Sequence, residues 1–419
     1  MKKGVENATK AVVVEKKNKF DFSKFGTFNV FLLGLVSFLN DFSSELIWPI
    51  LPLLISSLGG TGLIIGIIGG FMDGFPNLIK VFSGYFSDKA HNRMKFIFGG
   101  YFLAEISKLM LYFANGWLTI MAFMGINKLG KGIREAPRDA LISQSMPTEK
   151  GRGFGIQRAF DIGGAILGSI VLLAIVHFLG LHFKPLILLA AVLGFTSLIP
   201  IYFLKNIDNK SNGKEKKIFF FSSLRHLSSS LKSFIFIAVI FALANFTYMF
   251  FVLKTFSIFS SEIGNDQFTM PILLYVFFNI FYAGFAIPFG KWSDKIGRRR
   301  IIAAGYFLFS LVCAGFLFFS SMPMLILMFV LYGLSNAMVV SNQRAFVSDC
   351  SSEELRATAI GAFQTAIGIS AIFAGVIGGI LFDINQDYTF IYGFALSLFA
   401  AFAMIVFRVY YGNSCGVKK

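Results

Sequence analysis

Apolar stretches of roughly 20 residues recur along the chain, each set off by a short polar break. A helix of that length spans the hydrocarbon core of a bilayer. Strands of a membrane barrel would instead alternate apolar and polar positions over shorter segments. The pattern predicts helices near residues 28–57, 61–86, 95–115, 117–138, 153–179 and 184–204. A second set is predicted near 233–258, 268–289, 301–320, 322–345, 357–382 and 388–410. Between the sets, residues 207–230 are rich in Lys, Ser and Asn and hold no long apolar run. The expected organisation is a basic tail at 1–24, six helices within 25–206, a linker at 207–232, six helices within 233–410 and a tail at 411–419.

Composition agrees with an all-α membrane protein of twelve transmembrane helices. The chain is 56% hydrophobic and 14% charged, where a soluble protein carries about 25% charged residues. No cleavable signal peptide is expected, because the first 24 residues are Lys-rich and lack a compact apolar core.

The net charge of +16 raises the question of nucleic acid. Its placement answers it. Seven Lys precede the first predicted helix, and further clusters follow the second, fourth, sixth and eighth. The intervening loops are almost bare, Lys184 being the main exception. Under the positive-inside rule, both termini and the central linker are expected to be cytoplasmic. The basic excess is then a topology signal in a cytoplasmic (inner) membrane protein of the bacterial kind. Nucleic acid is not an expected partner.

Several chemistries find no support. Cys313, Cys350 and Cys415 show no metal-like spacing, and the four His are scattered. There is no nucleotide-binding loop and no nucleophile elbow with a plausible base. The expectation is a non-enzyme with no cofactor and no metal centre.

A charged segment is written twice. "GYFSDKAHNRM" begins at Gly84 and "GKWSDKIGRRR" at Gly290, an offset of 290 − 84 = 206. The same offset relates Asp88 to Asp294, Arg138 to Arg344 and Gly155 to Gly361. Six is even, so both halves enter the membrane in one orientation, as parallel repeats do in transporters.

Gly290, Asp294, Lys295, Gly297, Arg298 and Arg299 match G-x-x-x-D-[RK]-x-G-[RK]-[RK]. In this the chain resembles the major facilitator superfamily. The first copy matches at Gly84, Asp88 and Lys89, then has His91 and Asn92 before Arg93. "DFSSE" (41–45), "GKGIREAPRDAL" (130–141) and "RAFDIGGAILG" (158–168) resemble a poorly assigned bacterial branch that includes magnetosome-associated members. Gly164 and Gly168 resemble the fifth-helix antiporter motif, with Ser169 where that motif has Pro. The resemblance implies two pseudo-symmetric six-helix bundles and a cytoplasmic gate. In that gate Asp88 faces the start of the eleventh helix and Asp294 the start of the fifth. Arg93 and Arg298 pair with Asp139 and Asp349. Gly84 and Gly290 let helix ends approach closely. The latch forms in the outward-open state and breaks in the inward-open state.

Charges inside helices mark the expected cavity. A charge at mid-bilayer costs roughly 2.5–3.5 kcal/mol on insertion scales, so such residues avoid lipid. Asp41 and Glu45 lie four apart on one face of the first helix, with no cation within a turn. Protonation would remove the cost of either. Asp73, Glu105 with Lys108, Lys128, and Arg158 with Asp161 follow in the first half. Lys80 is expected to snorkel or pair, and Gly66, Gly69 and Gly70 to allow close helix packing. The second half offers Asn245, Tyr248, Asn279 and Tyr282, a more neutral and aromatic wall.

The reading is a secondary active transporter working by alternating access, coupled to protons as an exporter (antiporter) of a small or amphipathic solute. Import or uniport stays open. So does a non-transporting receptor, assembly factor or lipid scramblase on the same scaffold. The expected partners are a small-molecule substrate, protons and membrane lipids, and the chain is expected to act as a monomer.

Overall fold

The protein is described here by a computed structural model covering residues 22–89, 93–204, 227–260, 266–352 and 355–411. The linker proper, both tails and the stretch with His91 and Asn92 lie outside the described residues. So do the side chains of Asp88 and Lys89 and the surroundings of Gly84 within their helix.

Every element among the described residues is helical. The chain runs α1 (Phe22–Glu45), a 3-10 turn (Trp48–Ile50), α2 (Leu51–Ser57), α3 (Gly62–Lys89), α4 (Arg93–Leu111), α5 (Trp117–Ser145) and α6 (Lys150–Leu179). It continues with α7 (Phe183–Thr196), α8 (Ile199–Tyr202), α9 (Ser229–Ala244), α10 (Met249–Ile258) and α11 (Asp266–Ile296). The last elements are α12 (Arg298–Phe318), α13 (Met322–Asp349), α14 (Arg356–Ile384) and α15 (Gln386–Tyr411). Ten helical stretches among the described residues are long and apolar enough to cross a membrane. Helices α4 and α5 are not among them. They carry Glu105, Lys108, Lys128 and Arg134, all buried inside the protein.

Three predicted helices are interrupted. The first breaks at Leu46–Ile47, where Pro49 and Pro52 lack the N–H that would continue it. The sixth breaks before Pro200 for the same reason. The seventh opens at Asn245–Tyr248 without proline, at an Asn whose side chain competes with the backbone for hydrogen bonds. Elsewhere helices outrun the prediction. The "GKWSDKIGRRR" segment is not a loop: α11 reaches Ile296 and α12 starts at Arg298. Gly297 alone makes the turn, at φ 99°, which favours glycine.

Packing follows the repeat. In the first half α4 packs on α5, α3 on α5, α1 on α7 and α4 on α7. The corresponding pairs α12–α13, α11–α13, α9–α15 and α12–α15 pack in the second. Helices α3 and α14, and α6 and α11, meet across the halves. The α3–α14 seam is a small-residue zipper, where Gly66 meets the Gly375 carbonyl and Gly74 that of Gly368. A Cβ on Gly70 would lie 2.6 Å from the Ala371 carbonyl oxygen. Spacing of four places these glycines on one face, so backbones touch as in other membrane helix pairs. The seam starts at the end of the molecule that holds Gly62, which is therefore tightly closed.

Candidate functional site

Helix α1 supplies Asp41 and Glu45, and the structure separates their surroundings. Glu45 ends α1, just before the helix break, and is buried. Ser169 Oγ of α6 donates to its Oε2 at 3.1 Å, and Asn279 Nδ2 of α11 donates to the same oxygen at 3.2 Å. Asn279 also donates to Ser169 Oγ at 3.0 Å. Glu45 thus touches the second half through an amide, with no salt-bridge partner among the described residues. Sequence reading passed over Ser169, although its replacement of the motif's Pro was the available signal.

Asp41 faces another group. Asn40 Nδ2 donates to its Oδ1 at 2.7 Å. Asp161 and Arg158 of α6 and Lys108 of α4 lie within electrostatic reach. Asp161 accepts from Gln157 Nε2 at 3.0 Å. Gln157 donates in turn to Ser37, which bonds Tyr101 at 3.0 Å. Arg158 reaches across the halves to Tyr282, with 3.5 Å between its guanidinium and the phenol oxygen.

Glu105 and Lys108, expected in the cavity, are not there. Both side chains are 0% exposed and pair at 2.9 Å inside the first half. Lys108 Nζ also donates to Ser43 Oγ at 2.7 Å and to the Asn40 carbonyl at 3.3 Å. All three ammonium protons are used, which is what makes a buried lysine tolerable. The Glu105 carboxylate lies against Gly194, where any Cβ would collide with it. This pair fastens α4 to α1 and α7.

Asp73 and Lys128 differ from that arrangement. Asp73 is exposed, yet groups surround it from both halves. Lys128 and Lys131 of α5 lie on one side, and Tyr248 and Tyr332 of the second half feel its charge from the other. It therefore borders an open space between the halves. Lys128 is 8% exposed, with Nζ 4.3 Å from the centroid of the Trp48 ring. Lys80 is paired, at 3.2 Å from Glu135 and 3.8 Å from Asp139.

The facing wall is aromatic. Tyr248 and Tyr275 rings lie 5.2 Å apart, Tyr275 and Phe278 5.7 Å, and Phe278 and Tyr332 4.6 Å. Tyr248 Oη donates to the Trp48 carbonyl at 2.8 Å, joining the two helix breaks. Asn245 Oδ1 is buried there and accepts no hydrogen bond from the described residues.

At the opposite end, Arg298 meets Asp349 at 2.5 Å and Asp294 at 2.9 Å. Asp294 is 61% exposed, and its ion pair lies within its own half instead of at the start of α6. Asp139 pairs with Arg138 at 3.0 Å and with Lys80 at 3.8 Å. A Cβ on Gly290 would meet nothing within 4 Å among the described residues.

Comparison with known proteins gives these features a context. The family model of the Major Facilitator Superfamily matches residues 33–278 and 236–414. An uncharacterized MFS-type transporter of Methanocaldococcus jannaschii is 46% identical over 377 residues, covering 90% of this chain and 94% of the relative. The crystal structure of the nucleoside transporter NupG superposes with a TM-score of 0.76 at 15% identity, covering 92% and 99% of the two chains. A bacterial homolog of the human lysosomal transporter Spinster, inward-facing and occupied, gives 0.73 at 12% identity over 94% and 99%. Sharing its sequence, its helical packing and the length of its members, the chain belongs to the major facilitator superfamily and is a membrane transporter, not an enzyme.

Proposed function

We propose that this protein is a proton-coupled secondary transporter that exports a small or amphipathic solute by alternating access. Twelve helices in two pseudo-symmetric six-helix bundles would rock about the space bordered by Asp73, with both termini and the 207–232 linker in the cytoplasm. The zipper at Gly62 then closes the outer face, and the described conformation opens inward.

One observation carries the coupling. Glu45 is the α1 carboxyl that bonds the second half, through Asn279, with no cation in contact. A carboxylate accepts from both Asn279 and Ser169. Protonation removes its charge and replaces an acceptor site with a donor, which weakens that bridge. Release of the halves is thereby tied to a proton, and Asp41, held among Arg158, Asp161 and Lys108, is the second candidate.

Proteoliposomes containing the pH dye pyranine test this. Amino acids, nucleosides, organic acids and amphipathic cations would be added in turn. Solute-triggered proton movement in wild type, lost in Glu45→Gln while solute counterflow persists, is the expected result. Full proton movement in both Glu45→Gln and Asp41→Asn would remove these carboxylates from the coupling.

A further inference from the structure

Asp73, at the open space between the halves, and the buried Lys128 beside it are opposite charges that do not meet. Asp73 of α3 and Lys128 of α5 lie within electrostatic reach of each other. No salt bridge within 4.0 Å joins them, and neither has one with another group among the described residues. The nearby Lys131 is 3.8 Å from Glu135. The reason for the separation is local: the Lys128 ammonium is held over the Trp48 ring, an attraction available to a cation without a carboxylate. Lys128 is more than nine-tenths buried, and a buried ammonium without a counter-ion is costly.

We propose that Asp73 and Lys128 are the two poles of a site for a zwitterionic solute with an apolar or aromatic body. This rests on the transport reading above and names its substrate class. The solute's ammonium meets Asp73, and its carboxylate or phosphate meets Lys128. Its body lies against the aromatic wall of Tyr248, Tyr275 and Tyr332. A single-charged solute satisfies one pole and leaves the other unmatched. A site built to pair a charge rejects the analogue lacking it, because the site's own group then stays unsatisfied.

The test uses purified full-length protein and three probes of one body: phenylalanine, its methyl ester and N-acetylphenylalanine. At pH 6 these are a zwitterion, a cation and an anion. Hexylphosphocholine serves as a second zwitterion with a phosphate pole. Binding is read by thermal unfolding and titration calorimetry. At least one zwitterion should bind, and phenylalanine or its phosphocholine counterpart should bind at least tenfold tighter than either single-charged probe. Asp73→Asn should abolish discrimination against the anion, and Lys128→Met discrimination against the cation. Lys128→Arg, which keeps the charge, should restore the preference.

Equal binding of N-acetylphenylalanine by wild type would overturn the proposal in favour of an anion site. Equal binding of the ester would do so in favour of a cation site. Binding of neither zwitterion also overturns it. Zwitterion binding without any solute-triggered proton flux would sink the coupled-transport reading alone. Proton flux driven only by single-charged solutes would sink this inference alone.

Discussion

Asp383 of α14 caps the start of α3 in the other half of the molecule. Its Oδ1 accepts from the Gly62 N–H at 2.6 Å and its Oδ2 from the Leu63 N–H at 2.8 Å. The first N–H groups of a helix have no partner within it, and the helix dipole favours a negative charge there. The device resembles the one implied for Asp88 and Asp294, an acid of one half at a helix start of the other. Here it sits at the opposite end, next to the glycine zipper.

This contact should govern closure of the Gly62 end. Asp383→Asn keeps the shape and removes the charge. A charged cap at a helix N-terminus contributes about 0.5–2 kcal/mol. The closed population should therefore fall several-fold relative to the open one. Spin labels placed near the Gly62 end of α3 and the Ile384 end of α14 would report it by distance distributions. Distributions unchanged from wild type would mean that the glycine seam alone holds this end shut.

Asp383 also shows what sequence could and could not reveal. The period of the apolar runs located the helices, because a membrane-spanning helix must be long and apolar. The 206-residue offset exposed the repeat. Asp383 sits at a helix end near water, where an acid costs little and draws no notice. Its partner is the backbone of Gly62, 321 residues away, and backbone groups leave no mark in a sequence. Asn279 was visible as a polar residue within an apolar run, but nothing local says that its amide will reach Glu45. Glu105 and Lys108 were visible as an i,i+3 pair. Only Gly194 and Ser43, from other helices, show that the pair is walled off from the central space.

That enclosed pair should behave as a fastener. Removing one partner of a buried ion pair typically costs about 3–5 kcal/mol, because the other charge is left behind. Glu105→Gln is expected to lower the unfolding temperature of purified protein markedly. Glu105→Gln with Lys108→Met should recover most of the loss, since no lone charge remains. Gly194→Ala should destabilise as well, by pushing on the carboxylate. A double variant no more stable than the single one would show that the pair's value lies elsewhere, in the bonds from Lys108 to Ser43 and Asn40.

Topology offers a separate check. The Lys-rich stretches around the linker should keep it in the cytoplasm. A cysteine introduced at Ser211 should resist an impermeant maleimide in intact cells and react after permeabilisation. Strong labelling from outside would invert the molecule, and the Gly62 end would then face the cytoplasm.

Asp294 and Arg298 decide the other end. With the Gly62 end closed, Asp294 is exposed and bonds only Arg298 among the described residues, while Arg298 also holds Asp349. The acid is therefore available to a helix start of the first half when that end closes in its turn. An Asp at such a position contributes about 0.3–1 kcal/mol if exposed and up to about 2 if partly buried. Asp294→Asn removes that gain from the state closed at the Asp294 end and leaves the described state nearly untouched. The equilibrium should move toward the described conformation. Asp349→Asn is the control: it loosens Arg298 within one half and should leave the balance between conformations close to wild type. Spin labels on the α6 start and the α11 end would separate the two cases. If Asp294→Asn gave wild-type distances with and without bound solute, the acid would serve only to set topology.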